Sequence, residues 1–331
     1  MTGQGRLWAW FERAVLAAGL LTLALLLWRF EPALIWRLIA QVGFGFLVII
    51  PLQLFDHMLN ALGWRQTFEP EEARSIPFWR LVLGRVAGDG VNYLTPSASI
   101  AGEFVRPGML ATHASEEAKN ASVVIGKFTQ AIGQAVFILV GMSAVVSAKL
   151  NFLSSLHSGI AVAMALAIIA VIGVSLYLLT SRRIGLQRWL GGSQLVSGIR
   201  ERIRRYIALH PGRMATSVAF FSAGYAWGSI EVLVICHFMG LSVSPIQAVA
   251  IETFSNIIDS LLFMVPAKVG TQEAGKVAIF HGLGLLPSQG LAFGLIRHVR
   301  ELFWAGTGLT LYAINRRASS GTPRLESRTD P

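Results

Sequence analysis

The sequence predicts an all-α integral membrane protein, with about six transmembrane helices and two re-entrant helical hairpins arranged as an inverted repeat. Three observations predict this fold. Apolar residues make up 53% of the 331-residue chain and charged residues only 14%, against roughly 25% charged in ordinary soluble domains. Six apolar stretches are long enough to span, by the rule of about 20 residues for a hydrocarbon core. A polar motif also recurs at a fixed interval in two further apolar segments.

The recurring motif is Asp, six residues, Pro, six residues, Glu, two residues and a base. It occurs at Asp89–Arg106 and again at Asp259–Lys276, and the second copy follows the first by 170 residues. The same offset relates Lys127 to Arg297. A chance match is the alternative, but the matches fall on the few polar and helix-breaking positions of apolar segments. A fixed period of this kind indicates a duplicated unit.

The first predicted repeat covers residues 1–150. It consists of two transmembrane helices, a hairpin and a third helix, at residues 14–28, 38–60, 81–112 and 121–147. The first helix follows Arg6 and Arg13 and could be mistaken for a signal peptide. No small-residue cleavage site follows it, so we expect a retained helix. An outer loop that contains Arg29 and Arg37 is expected between the first two helices.

Both hairpins are inferred from charged and helix-breaking residues in segments that are apolar enough to enter a membrane. Such residues are costly in hydrocarbon and are tolerated where protein or water surrounds them. In the first hairpin a helix is expected to run to about Leu94 and to return through Glu103. The residues assigned to the turns and to close helix approach are Pro96, Gly102, Pro266 and Gly270.

The second predicted repeat covers residues 151–317. Its parts are transmembrane helices at 160–180 and 214–240, a basic amphipathic loop at 181–213 between them, a hairpin at 248–282 and a transmembrane helix at 290–314. The loop is expected to lie on the membrane surface, and residues 318–331 are expected to form a disordered cytoplasmic tail. Because three spans separate the hairpins, the second hairpin enters from the opposite side, as in secondary transporters.

The net charge of +10 is interpreted as a topology signal rather than as a nucleic-acid surface. Most Lys and Arg residues lie in segments on one side of the predicted helices, which places both termini and the long loop in the cytoplasm. The one cysteine, Cys236, excludes an internal disulfide and a multi-cysteine metal site. No metal-binding histidine spacing and no phosphate-binding loop occur, so neither a cofactor nor direct ATP drive is expected.

Ionisable residues at membrane depth are functional-site candidates by default. We predict a hydrated cavity between the hairpins, in which Arg and Lys bind a phosphate or another anionic headgroup. The alternative is that the acids pair with nearby bases or cap helices and only hold the fold. Substrate contact is favoured for Arg106, Lys127, Arg297 and Arg300. The full predicted site is Asp89, Asn92, Glu103, Arg106, Lys127, Asp259, Lys268, Glu273, Lys276, Arg297, Arg300 and Glu301.

The two motif stretches resemble the flippase-like membrane family that includes the transmembrane region of bacterial lysylphosphatidylglycerol synthase. The matching positions are Asn92, Leu94, Pro96, Gly102, Glu103 and Arg106, then Pro266, Gly270 and Glu273. Ala267 and Lys268 depart from the glycines common in the second turn, which is similar to that of the hopanoid-associated subgroup. No soluble aminoacyl-transferase domain is expected after the last helix. The resemblance implies lipid translocation without synthesis.

The sequence therefore predicts a lipid flippase of the bacterial cytoplasmic membrane, not an enzyme, that moves a phospholipid or a hopanoid-like lipid. Its expected partners are lipids with anionic headgroups and proteins of lipid biosynthesis. Two alternatives stay open. The first is an integral-membrane transferase that uses Asp89, Glu103, Asp259 or Glu273 as a general base, although the duplication of these acids is unlike an asymmetric catalytic centre. The second is a scaffold for a lipid-synthesis complex.

Overall fold

The structure is a computed structural model that describes residues 17–94, 101–110, 113–148, 194–261 and 268–320. Every regular element in these residues is helical, which confirms the predicted all-α class. By length and composition, three described helical segments could cross a membrane, namely Pro32–Arg65, Glu116–Ser147 and Pro211–Phe238. The count of six spans and the re-entry of the hairpins stay predictions.

The helices are numbered in chain order. They are α1 (Ala17–Arg29), α2 (Pro32–Val42), α3 (Phe46–Arg65), α4 (Pro70–Ser75), α5 (Phe78–Leu94), α6 (Ala101–Met109), α7 (Glu116–Ser147), α8 (Gln194–Leu209), α9 (Pro211–Phe238), α10 (Pro245–Leu261), α11 (Thr271–Gly282) and α12 (Pro287–Ser320). A 3-10 turn at Gly43–Gly45 joins α2 to α3. The expected helix at 160–180, Pro96 and Pro266 lie outside the described residues.

Local sequence signals explain where several helices begin. Ser115 caps α7, since its hydroxyl accepts a hydrogen bond from the Ala118 amide at 3.2 Å. Glu116 and Glu117 follow in the first turn, where acidic side chains interact favourably with the helix dipole. Both α2 and α9 begin with proline, whose missing N–H would be unpaired at that position anyway.

The predicted loop between the first two helices is wrong. The helix α2 already begins at Pro32, so that Arg37 lies inside a helix rather than in a loop. At the other end, α3 continues to Arg65 and keeps His57 well inside the helix. The last helix also differs from the prediction, because α12 continues to Ser320 and includes the first residues of the expected tail.

The packing of the two halves is reciprocal. The helices α5 and α6 form one packed pair, and α10 and α11 form another. The second member of each pair packs against the helix that follows it, α7 or α12, while the first member packs against the corresponding helix of the other half. Equivalent helices begin about 170 residues apart, the interval of the sequence motif. The division at residue 150 and the opposite membrane orientations of the halves stay predictions.

The amphipathic helix α8 packs on protein with its apolar side. Ile203 and Tyr206 are buried against Ala121 and Ile125 of α7, and Arg202 forms an ion pair with Glu72 of α4. Burial raises the pKa of the Tyr206 phenol. The sequence assigned this apolar side to the membrane surface, whereas in the structure these two residues contact a neighbouring helix.

Gly308 lies where α12 crosses closely over α5. A substitution at Gly308 therefore tests this packing. A Cβ atom at Gly308 would clash with the carbonyl oxygen of Val86, whereas a Cβ atom at Gly306 meets nothing within 4 Å. We expect Gly308→Ala to destabilise the protein by about 1–3 kcal/mol through overpacking, and Gly306→Ala to cost nothing, since alanine favours helix by about 1 kcal/mol over glycine. Thermal unfolding in detergent compares the two variants, and equal midpoints would contradict the crossing.

Candidate functional site

Five charged side chains from α5, α6 and α7 form what we call the N-terminal cluster: Arg85, Asp89, Glu103, Arg106 and Lys127. Asp89 lies between two guanidinium groups, 2.9 Å from Nε of Arg85 and 2.7 Å from Arg106. Glu103 contacts Arg106 at 2.5 Å and Lys127 at 2.9 Å. The cluster therefore links both helices of the first pair to α7.

A close approach of two backbones builds this cluster. A Cβ atom at Gly102 would clash with the carbonyl group of Gly88. The start of α6 can therefore approach α5 this closely only with glycine at position 102. The Gly102 amide donates to Oδ1 of Asn92 at 2.7 Å, and Nδ2 of Asn92 donates to Glu103 at 3.3 Å. Asn92 thus orients the start of α6, and the helical spacing of three residues then places Arg106 beside Glu103.

Five further side chains, from α9, α10 and α12, form the C-terminal cluster: Glu231, Glu252, Arg297, Arg300 and Glu301. Arg297 lies 2.7 Å from Glu252 and 3.3 Å from Glu231. Arg300 pairs with Glu231 and lies 3.5 Å from Glu301, which also accepts a hydrogen bond from Gln272 at 3.1 Å. Each arginine of this cluster lies between two carboxylates, as Arg106 does in the first cluster.

Residues between the two clusters bring them into one polar interior. Asp56 of α3 interacts electrostatically with Arg85 and with Arg300, one from each cluster. The hydroxyl of Tyr93, near the end of α5, lies 3.0 Å from Nε2 of His298 on α12. Gln134 of α7 donates to Asn256 of α10 at 3.3 Å. The helix pairs of the two halves therefore meet through polar contacts.

Lys268 is the one residue other than glycine with a positive φ in the described part of the chain, at 53°. This left-handed conformation costs an ordinary residue roughly 1–2 kcal/mol. Lys268 lies three residues before the start of α11, at a position where the family resemblance led us to expect glycine. Its ammonium lies 2.9 Å from Asp259. Backbone strain retained at one position supports a functional role for its side chain.

The second motif departs from the first in its chemistry. Arg106 pairs with both acids of its motif, whereas its counterpart Lys276 is buried and has no carboxylate within 4.0 Å among the described residues. Glu273 instead accepts a hydrogen bond from the Gly270 amide at 2.7 Å and faces His298. The structure thus places the two motifs in similar backbone positions with different partners.

The exposure of the side chains separates the arginines from the lysines. The side chains of Arg85, Arg106, Arg297 and Arg300 are 6 or 7% exposed. In contrast, Lys127 is 40% exposed and Lys268 34%. The carboxylates of Asp89 and Asp259 are 30% and 28% exposed. The arginines are enclosed by acids, whereas one lysine and one acid in each half remain open.

Several residues of this interior were missed or given little weight by sequence reasoning. His57 lies 3.5 Å from Asp89, but α3 was expected to end near it. Tyr93 and Gln272 carry no charge and therefore gave no signal within an apolar segment. Glu231 is alone in α9 in the sequence, and its pairing with two arginines of α12 could be found only from the fold.

The sequence matches one family model, the lysylphosphatidylglycerol synthase TM region, over residues 13–308. The chain belongs to this family. The family's range includes every predicted site residue and both clusters. Its description indicates a membrane protein with a lipid-related function, and this much is shown for the chain. No curated protein and no solved structure matches the chain.

The lysylphosphatidylglycerol synthase TM region is named after an enzyme, but the chemical role of this domain does not follow from that name. Within the described residues no group of three or more His, Cys, Asp and Glu side chains is arranged to hold a metal ion. What the described interior offers is charge: guanidinium groups held by carboxylates, and lysines at its open side. Such an arrangement can bind and release a charged group without any covalent step.

Proposed function

We propose that the protein is a flippase that moves lipids with polar heads across the cytoplasmic membrane of a bacterium, with both termini in the cytoplasm. The observation that carries the proposal is the pair of partly exposed lysines, Lys127 and Lys268, one on each half of a charged interior in which the arginines are buried. Its cargo is a phospholipid or a hopanoid-like lipid with a polar head. Its partners are these lipids and, by proximity in the membrane, proteins of lipid biosynthesis.

The outer surface supports a location in lipid. Large apolar side chains are exposed on α2, on α6 and around the 3-10 turn, among them Trp36, Phe44, Leu47 and Phe104. An isolated charge cannot enter hydrocarbon without a large desolvation cost. A polar interior inside an apolar exterior removes that cost for a headgroup, while the acyl chains stay in lipid.

The lysines fit a phosphate better than the arginines do. Each arginine is buried and paired with at least one carboxylate, so it would have to break an ion pair to receive a ligand. Lys127 and Lys268 each have a carboxylate partner at 2.9 Å and an exposed side, so that a phosphate oxygen can approach the ammonium from that side. Lysine is a common phosphate ligand because its compact charge needs no particular geometry. Binding of this kind is reversible, as translocation requires.

The transferase alternative has less support from the geometry. Asp89 is held by two guanidinium groups and Glu103 by a guanidinium and an ammonium group. A carboxylate stabilised by nearby cations is a poor proton acceptor. Asp259 is likewise paired, with Lys268. The translocation proposal needs no general base and is therefore preferred.

The variant Lys268→Gly tests the proposal directly. Glycine accepts the φ of 53° without strain, so that we expect the stability to change by less than about 1 kcal/mol, the size of an exposed ion pair. We expect the initial rate of translocation to fall by about tenfold, the effect of losing one charge-assisted contact. The measurement follows fluorescent phosphatidylglycerol and phosphatidylethanolamine in proteoliposomes by quenching of the outer leaflet.

Protein-free vesicles and Arg80→Met serve as controls, since Arg80 is an exposed base outside both clusters. Rates equal to those of protein-free vesicles for every headgroup would contradict the flippase proposal. A new lipid species in the same vesicles, detected by mass spectrometry, would favour the transferase. A wild-type rate for Lys268→Gly would remove Lys268 from the path.

A further inference from the structure

A chain of polar contacts joins the two helix pairs through one histidine. Nε2 of His298 on α12 lies 3.0 Å from the hydroxyl oxygen of Tyr93 on α5. On the other side of the ring, Nδ1 lies 3.0 Å from Oε1 of Glu273 on α11. The N–H direction there is not aligned for a hydrogen bond, so the contact is a charge contact. Glu273 in turn accepts a hydrogen bond from the Gly270 amide.

We propose that His298 is the binding site of a coupling proton, so that a proton gradient drives lipid translocation. The inference rests on the proposed function and adds its energy source. The site consists of Tyr93, His298 and Glu273, one residue from each of three helices. The proton is taken from water on one side of the membrane and returned to water on the other side, and no covalent bond of the lipid changes.

The surrounding groups can satisfy Nε2 of the ring in both protonation states. In the neutral state with the hydrogen on Nδ1, Nε2 accepts a hydrogen bond from the Tyr93 hydroxyl. In the protonated state Nε2 donates to the Tyr93 oxygen, and the hydroxyl hydrogen needs another acceptor. Oε2 of Glu301 is buried and has no hydrogen-bond partner among the described residues, and Glu301 interacts with Tyr93. An acceptor is therefore in place for the second state.

Charged groups from each element packed on His298 surround this site. Glu273 acts from α11, Lys268 from the residues immediately before α11, and Glu301 from α12 itself. Tyr93 of α5 is uncharged, and Arg300 of α12 interacts with it. Arg297 and Arg300 are held by the carboxylates of the C-terminal cluster. Glu273 contacts the ring, and Glu301 and Lys268 interact with it electrostatically, so that an added proton enters a site with two carboxylates and one ammonium group.

Proton binding can drive movement only if one conformation binds the proton better than another. The site meets this condition because Tyr93 belongs to the first helix pair and Glu273 to the second, with His298 of α12 between them. Tyr93 lies one residue before the end of α5, and Glu273 lies in the first turn of α11. Separation of these two ends would remove Tyr93 or Glu273 from the ring. The proton therefore favours the conformation in which the two helix pairs are close.

The test compares wild type, His298→Gln and Tyr93→Phe in vesicles of phosphatidylglycerol and phosphatidylethanolamine, with and without an imposed pH gradient. A gradient of about one pH unit can change the distribution of a one-proton carrier by up to about tenfold. We expect the wild-type rate to rise several-fold with the gradient, to return to its basal value with a protonophore, and to be accompanied by proton flux measured with an internal pH dye.

We expect the rate of His298→Gln to be the same with and without the gradient, because glutamine cannot bind the proton. Tyr93→Phe removes only one hydroxyl and is expected to reduce the stimulation, which keeps the test open if His298→Gln does not fold. His281→Gln, an exposed histidine at the end of α11, is the matched control and is expected to respond as wild type does.

The possible failures are distinguishable. A wild-type translocation rate that does not change with the pH gradient would overturn proton coupling and leave the flippase proposal intact. Full stimulation in both His298→Gln and Tyr93→Phe would overturn the assignment of the site. Proton flux without lipid movement in any vesicle would overturn the flippase proposal, and with it the coupling of the proton to a lipid.

Discussion

Replacement of Arg297 by methionine is expected to destabilise the protein by about 3–5 kcal/mol, the usual cost of leaving a buried carboxylate without its partner. Arg297 is 6% exposed and lies 2.7 Å from Glu252. Methionine keeps much of the volume of the side chain but none of its charge. Within the described part of the chain, the Glu252 carboxylate would then retain only the hydrogen bond from Asn256 at 3.0 Å. Unfolding in mixed detergent micelles measures the loss.

A second substitution tests whether unpaired charge causes this loss. Glu252→Gln in the Arg297→Met background removes the stranded carboxylate, and glutamine can still accept the hydrogen bond from Asn256. We expect the double variant to recover about 1–3 kcal/mol, the range of coupling between contacting residues. The exposed Arg80→Met is expected to stay within about 0.5 kcal/mol of wild type. An Arg297→Met protein that is fully stable but inactive would instead assign Arg297 to the substrate, as the sequence first favoured.

Some basic residues are held by acids and others remain open to a ligand. This difference could not be predicted from the sequence. Spacing placed Arg106 and Lys276 at corresponding ends of the two motifs and related Lys127 to Arg297 by the same offset. It predicted that such charges lie together with acids inside an apolar protein. Whether an arginine faces a lipid or an acid depends on neighbours far away in the chain. Glu231 and Arg297 are 66 residues apart and meet only because α9 packs against α12.

The helical pairs themselves were more predictable than their side-chain partners. A helix was expected to run to about Leu94, where helix-breaking residues follow in the sequence, and the structure describes α5 as a helix up to Leu94. Helix-breaking residues mark such ends in any apolar segment, because they act on the local backbone. The loop expected around Arg37 is not found. The charge of Arg37 suggested a loop, but Pro32 begins a helix that carries this arginine.

Lysine 268 shows how a departure in sequence acquires a meaning from the structure. In the sequence it was one base of the predicted site and a departure from the family resemblance, because glycine is common in that turn. In the structure its φ of 53° shows why glycine suits the position, and its side chain reaches Asp259. The backbone here favours glycine, so a lysine at this position is under local strain that a glycine would avoid. Only the backbone angle could reveal that conflict.

Replacement of Lys127 by methionine is expected to reduce translocation by at least about tenfold while the fold stays intact. A hydrogen bond to a charged group contributes about 1.5–3 kcal/mol, and each 1.4 kcal/mol is a factor of ten in binding. Glu103 would keep its contact with Arg106 at 2.5 Å and with Asn92 at 3.3 Å. We therefore expect a loss of stability below about 1 kcal/mol, as for other partly exposed ion pairs.

The contrast between Lys127→Met and Arg297→Met is the strongest test of the site. Lys127→Met is expected to lose transport but to keep its stability, whereas Arg297→Met is expected to lose stability first. Lys127→Arg keeps the charge and is expected to retain most of the rate, which separates the need for a cation from the need for lysine itself. A Lys127→Met protein with the wild-type rate would mean that the exposed ammonium does not meet the headgroup. The passage would then have to run along the carboxylates instead, and a cationic headgroup would be the expected cargo.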